Sequence, residues 1–135
     1  MRVLLLSLLL LAFIARVAGQ IIAVLYAPSW LPPMTDWYSG LLPYPILLPV
    51  QLAIVVLMLW MLRHQPSPRA ARNITIFATL YAVSMLVRFI LLRTQHPELQ
   101  WYEGGMIPIL FHWVLATFLL TYAKSEERGT MKDER

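Results

Sequence analysis

Apolar residues are concentrated in four long stretches of the chain, which shorter and more polar segments separate. The stretches cover residues 3–26, 44–62, 74–92 and 106–123. Each is close to the roughly 20 residues that a helix needs to cross the hydrocarbon core of a bilayer, where a backbone must satisfy its own hydrogen bonds. The pattern predicts an all-α membrane protein, a four-transmembrane-helix bundle in one domain over residues 1–124, followed by a charged tail at 125–135.

The first stretch has a second interpretation. Arg2 and the apolar residues 3–15 resemble the basic and apolar regions of a secretory signal peptide, with a poor cleavage motif at residues 17–19. Apolar residues resume at Ile21 and continue to Tyr26, further than the apolar region of a signal usually runs. This favours an uncleaved first span, whereas cleavage would leave three helices with the orientation of the others unchanged.

The distribution of lysine and arginine predicts the orientation of the spans. Positively charged segments are retained on the cytoplasmic side of a membrane. With a cytoplasmic N-terminus, that side carries eight basic residues: Arg2, Arg63, Arg69, Arg72, Lys124, Arg128, Lys132 and Arg135. The two outer segments then hold only Arg93. Both termini are therefore predicted to be cytoplasmic, in a multi-pass protein of the inner or plasma membrane.

Composition supports a membrane location and narrows the partners. Hydrophobic residues make up 59% of the 135 residues and charged residues only 13%, which is too apolar for a soluble domain of this size. The net charge of +4 arises from short segments beside the spans, so it indicates topology and contact with anionic lipid headgroups, with no nucleic acid partner. The absence of cysteine excludes a disulfide, a thiolate nucleophile and a cysteine-ligated metal.

The first outer segment is rich in proline and tryptophan. Its prolines, with those that start the second span, are Pro28, Pro32, Pro33, Pro43, Pro45 and Pro49. Proline fixes φ and lacks an N–H donor, so the segment is expected to be extended or turning, with Pro45 near the first turn of the second helix and Pro49 starting or kinking it. Trp30, Trp37 and Tyr38 then either form a lid over the outer mouth or act as interfacial anchors.

Each span contains one strongly polar residue that interrupts its apolar pattern: Arg16, Gln51, Arg88 or His112. At a rise of 1.5 Å per residue, all four lie roughly 17–22 Å from the predicted inner edge of their helices. In a hydrocarbon core ~30 Å thick, they share one layer in its outer half. A lipid-facing arginine there costs roughly 2.5–3.5 kcal/mol, so both arginines are expected to point inward or to reach outward to the interface.

Helical spacing supports the inward choice and predicts a polar pocket. Gln20 shares a face of the first helix with Arg16, and Tyr81 shares a face of the third helix with Arg88. The predicted ligand-binding residues are Arg16, Gln51, Tyr81, Arg88 and His112, with Gln20 in addition and with Asp36, Trp37 and Glu103 as lid or ion-pair partners. Alternatively, the two arginines are purely structural, paired with Asp36 and Glu103 or with carbonyls freed at Pro49 and Pro108.

No motif names a reaction, a cofactor or a metal, so the chain is predicted not to be an enzyme. Three functions stay open, and the sequence favours the first over the other two. The first is a non-enzymatic structural or assembly subunit that packs on other membrane proteins or on further copies of itself. The second is a binding module or carrier for an amphipathic molecule with an anionic or carbonyl head, such as a lipid, fatty acid or quinone, held by Arg16, Arg88 and His112. The third is a membrane enzyme in which His112 is the acid or base and the arginines hold an oxyanion.

Overall fold

The computed structural model describes residues 1–37 and 42–124, and this part of the chain contains helices and no strand. The helices are α1 (Arg2–Tyr26), α2 (Met34–Trp37), α3 (Tyr44–Arg63), α4 (Pro68–Gln95) and α5 (Met106–Ala123). All except α2 are long and apolar enough to cross a membrane. The prediction of an all-α fold with four candidate spans is confirmed, whereas the tail at 125–135 and Tyr38 lie outside the described residues.

The bounds of α5 equal those of the predicted span, but α4 begins six residues before its apolar stretch. Ser67 caps the helix, because its hydroxyl accepts a hydrogen bond of 3.3 Å from the backbone N–H of Ala70. Pro68 occupies the first helical position, where its missing N–H has no cost. Arg69 and Arg72 therefore lie on the first turns of α4 and not in an interhelical loop.

Two prolines within the helices differ in their effect on the backbone. Helix α3 starts at Tyr44, with Pro45 in its first turn as predicted, and continues through Pro49. Pro49 therefore does not start the helix, and its missing N–H leaves the carbonyl of Pro45 without its intrahelical bond. Pro108 lies in the first turn of α5, where an N–H has no helical partner in any case, so it frees no carbonyl.

The four long helices pack in the order α3, α1, α5, α4. Helix α1 contacts α3 on one side and α5 on the other, and α5 packs most extensively against α4. In the part of the chain that the structure describes, α3 and α4 make no comparable contact, although only residues 64–67 separate them in sequence. Three helix pairs therefore hold the bundle together. A compact four-helix bundle would also have contacts between α3 and α4, and this side is less closely packed.

The apolar core lies toward one end of the bundle. Its buried members come from residues 6–17 of α1 and from the last turns of α3 and α5: Leu6, Leu10, Phe13, Val17, Met58, Met61, Phe118 and Tyr122. A smaller cluster of Ala23, Trp37 and Ile107 lies at the opposite end, which we call the α2 end. The polar residues buried within the spans, Arg16, Gln20 and Gln51, belong to the half of the bundle nearer to the α2 end.

Candidate functional site

Arg16 is the buried cation of the bundle. Its side chain is only 7% exposed, and its Cζ atom lies 5.5 Å from the centroid of the Phe111 ring on α5. The Nε atom of Arg16 is buried and has no hydrogen-bond partner. Over residues 1–37 and 42–124 the ion pair that forms is that of His96 with Glu98, so no described carboxylate neutralises Arg16 or Arg88.

Two glutamines join α1 to α3 one helical turn above Arg16. Gln51 Nε2 donates a hydrogen bond of 2.9 Å to Gln20 Oε1, and the two residues are 2% and 1% exposed. The Nε2 atom of Gln20 and the Oε1 atom of Gln51 are buried and have no partner. One donor group and one acceptor group of this pair therefore stay unsatisfied, about one helical turn from Arg16.

A second polar pair joins α4 to α5. The hydroxyl of Tyr81 and Nδ1 of His112 share a hydrogen bond, and the two rings meet edge to face with their centroids 5.4 Å apart. The next residue of α5, Trp113, donates a hydrogen bond of 3.3 Å from Nε1 to the carbonyl oxygen of Ala82 on α4. This is a second hydrogen bond between the same two helices. His112 is thus engaged by a side chain of the neighbouring helix, and Tyr81 is its partner.

The structure brings most of the predicted pocket residues into one neighbourhood. Arg16 lies against Phe111, the residue before His112, and is near enough to Tyr81 and His112 for charge to be felt between them. Arg88 is likewise within electrostatic range of His112. The arrangement is therefore two hydrogen-bonded pairs, one between α1 and α3 and one between α4 and α5. Arg16 lies one turn from Gln20 of the first pair and packs on Phe111, next to His112 of the second. Arg88 is half-buried at the margin of this group.

The predicted loop residues lie at the α2 end, and their carboxylates bind backbone groups. Asp36 Oδ1 accepts a hydrogen bond of 3.3 Å from the backbone N–H of Gly104, which ties α2 to the segment before α5. Glu103 Oε2 accepts a hydrogen bond of 2.8 Å from the backbone N–H of Gln100. Both carboxylates thus hold the loops, and neither forms an ion pair with an arginine.

Trp37 covers the α2 end of α1. Its indole Nε1 donates a hydrogen bond of 3.0 Å to the carbonyl oxygen of Pro32, and its ring lies against Gly19. A Cβ atom at position 19 would be 2.8 Å from Cη2 of this ring, so only glycine permits the approach. Gly19 lies between Arg16 and Gln20 in the sequence, and the indole therefore packs beside the polar site.

Sequence reasoning missed Phe111 and an aromatic cavity that this ring helps to line. The cavity has a volume of about 680 Å³ and lies between the α2 end of the bundle and the first half of α5. Its walls include Trp30, Trp37, Trp101, Tyr102, Phe111 and Val114. The tryptophans were expected only as interfacial anchors or a lid, and a phenylalanine within an apolar span gives no signal that an arginine lies against it.

The second outer segment contains a contact between a histidine and a carboxylate. His96 Nδ1 lies 3.2 Å from Glu98 Oε1. The pKa of the Glu98 carboxyl group is below its ordinary value, because its own backbone N–H donates a hydrogen bond to it and His96 adds a second. Among the described residues, no group of three histidine, aspartate or glutamate side chains is placed to hold a metal ion.

Comparisons of the chain with protein-family profiles, with curated proteins and with solved structures give no match.

Proposed function

We propose that this protein binds an amphipathic molecule inside the membrane and that Arg16 holds its anionic or carbonyl head. The observation that carries the proposal is a guanidinium group, 7% exposed, on an apolar helix with no described carboxylate beside it. The contact with Phe111 supplies about 0.5–2 kcal/mol. That is less than the roughly 2.5–3.5 kcal/mol that an arginine costs at such a depth. An anionic ligand would offset the difference.

The surroundings of Arg16 suit a ligand with an apolar body. The planar guanidinium group presents paired N–H donors that match a carboxylate or a phosphate. Helices α3 and α4 are not packed closely on each other, so an acyl or isoprenoid chain can remain among the lipid tails while the head reaches Arg16 between them. Lipids, fatty acids and quinones share this design. We propose a non-catalytic role for His112, which is already bonded to Tyr81.

Native mass spectrometry of the detergent-extracted protein tests the proposal. We expect the wild type to carry a bound acidic amphiphile and the Arg16→Met variant to retain at most about a tenth of it, which corresponds to ~1.4 kcal/mol of lost interaction. Arg63→Met is the matched control, because Arg63 is exposed at the end of α3 and should retain full occupancy. Equal occupancy in the Arg16 and Arg63 variants would reject Arg16 as the anchor.

A structural or assembly subunit is the second candidate, and the surroundings of α4 favour it. The buried residues of α4 are the small Ala71 and Ala78, and its large apolar side chains, among them Phe77 and Leu80, are exposed. Small residues let α4 approach α5 closely, and the outward apolar face is then available to lipid or to a helix of a partner membrane protein.

Because the chain contains no cysteine, a single introduced thiol reports on this face without ambiguity. We expect Leu80→Cys, crosslinked in native membranes, to give one adduct of defined mass if α4 packs on a partner. Leu8→Cys on the exposed face of α1 is the control and should give none. If both variants are crosslinked equally, and only to lipid, α4 is not an assembly surface.

We also propose the orientation that the charges predict, with both termini cytoplasmic in the inner or plasma membrane. The described carboxylates, Asp36, Glu98 and Glu103, belong to the two segments at the α2 end. A membrane-impermeant maleimide should therefore label Ser29→Cys in intact cells, whereas Gln65→Cys should react only after the membrane is opened. The reverse pattern would show that the protein is inserted the other way.

A further inference from the structure

We infer that the head group bound at Arg16 carries a hydrogen-bond donor next to its anionic oxygens, and that Gln20 and Gln51 recognise this combination. The inference rests on the proposed function and names the ligand class more narrowly: an anionic amphiphile with an N–H or O–H group close to the carboxylate. Simple fatty acids and their esters lack that donor.

One hydrogen bond between two glutamines cannot satisfy both amides. Each amide has one carbonyl oxygen and one NH2 group, and the bond from Gln51 Nε2 to Gln20 Oε1 consumes one group of each. The Gln20 NH2 and the Gln51 carbonyl oxygen remain, buried and without a partner. If both amides were turned over, the Gln20 carbonyl and the Gln51 NH2 would remain instead, so the site offers one donor and one acceptor in either orientation.

The glutamine pair lies about one helical turn from the cation along α1. Gln20 follows Arg16 by four residues, so the two side chains leave the same face of α1 about 6 Å apart along the helix axis. Arg16 Nε and the free amide NH2 are donors, and the free amide oxygen is an acceptor. A complementary head group must therefore present two acceptor positions and one donor.

A carboxylate alone fills only part of this pattern. It accepts hydrogen bonds from Arg16 and from the amide NH2, but it has no donor for the amide oxygen. A buried acceptor that is left unpaired has lost its hydrogen bonds to water without replacement, which disfavours binding. A carboxylate with an adjacent amide N–H, as in an N-acyl amino acid, or with an adjacent hydroxyl, as in a 2-hydroxy fatty acid, satisfies all three groups. Sites that bond such a group discriminate strongly against analogues that lack it.

Three amphiphiles of similar length separate these possibilities: palmitate, 2-hydroxypalmitate and N-myristoylglycine. We expect the full-length, detergent-solubilised protein, stripped of copurified lipid, to bind at least one of the last two about tenfold more tightly than palmitate, measured by native mass spectrometry titration. Whichever of the two binds tighter identifies the donor as O–H or N–H. The preference follows from the amide oxygen of the glutamine pair and not from charge, which is the same for all three probes.

The double variant Gln20→Leu/Gln51→Leu should bind the three probes within about twofold of one another. Replacing both partners of a buried hydrogen bond by apolar groups of similar size is close to neutral for stability, so the variant should fold. Arg16→Met should weaken binding of all three probes by a similar factor and leave the ratio of their affinities unchanged, because the glutamine pair is intact in this variant.

The outcomes separate this inference from the proposed function. Equal binding of the three probes by the wild type, together with their loss in Arg16→Met, would overturn the inference and leave the proposed function in place. Binding of none of the probes, or binding that Arg16→Met does not weaken, would overturn both. Should the double variant fail to fold, the ratio of affinities measured on the wild type decides the matter alone.

Discussion

Replacing Phe118 with alanine is expected to lower the free energy of unfolding by about 3–5 kcal/mol, the largest effect of any single substitution considered. Phe118 is 0% exposed and lies in the apolar core that α1, α3 and α5 build together. Removing its ring leaves a cavity that neither lipid nor the packed neighbours can fill. Unfolding of the detergent-solubilised protein with increasing denaturing detergent, followed by circular dichroism, measures the change.

Phe77 provides the control for this experiment. It is also a helical phenylalanine, but it lies on α4 with 59% of its surface exposed and stacks only on Tyr81 of the same helix. Phe77→Ala should cost less than about 1 kcal/mol, because it creates no enclosed cavity. Similar losses at the two positions would contradict the packing order of the helices, in which α4 has one face against α5 and the rest outside.

Replacing Gly19 with leucine is expected to displace Trp37 and to destabilise the protein by about 1–3 kcal/mol, the usual range for overpacking a filled space. The first side-chain carbon alone would come to 2.8 Å from the indole, and the indole is held by its bond to Pro32. Ala18→Leu, at an exposed position of the same turn, should have little effect. Thermal unfolding in detergent measures both.

A double-mutant cycle shows whether the cost at position 19 comes from the indole. In a Trp37→Ala background, Gly19→Leu should lose most of its effect, because the atom that it strikes is gone. A cost that stays the same in that background would mean that the leucine disturbs α1 itself and that Trp37 does not cover it.

The extent of the spans could be predicted from the sequence because lipid permits few alternatives. An apolar run of about 20 residues must satisfy its own backbone hydrogen bonds, and the bounds of α5 show how well run length alone performs. The start of α4 was missed because the apolar stretch begins only at Ile74. The helix itself starts at Pro68, where the hydroxyl of Ser67 caps it. Capping residues can extend a helix beyond the hydrophobic layer into a polar segment.

The candidate site was predictable in depth but not in pairing. Counting residues from the ends of the spans predicted similar heights for Arg16 and His112, and in the structure Arg16 lies against Phe111, the residue before His112. Which side chain meets which depends on the order of the helices. In lipid, an apolar helix face has a similar free energy inside and outside the bundle, because lipid tails are as apolar as the side chains. The apolar pattern along α4 therefore does not reveal that Tyr81 faces α5.

The role of Phe111 also could not be predicted from the sequence. Its ring contacts Arg16 and lines the aromatic cavity, yet in the sequence it is one apolar residue among many in its span. The short helix α2 was likewise unexpected, because a segment rich in proline predicts turns and not a helical turn. The close approach of Trp37 to Gly19 depends on where that helix lies.

The packing order has a consequence for how the protein is made. Helices emerge from the ribosome from the N-terminus onward, so α1 and α3 can associate while the rest is still being synthesised. Helix α4 then enters the bilayer before α5, the one helix of the described part of the chain on which it packs extensively. In a nascent chain stalled before residue 106, α4 should therefore be poorly packed. It should be accessible to quality-control proteases until α5 is inserted and packs against it.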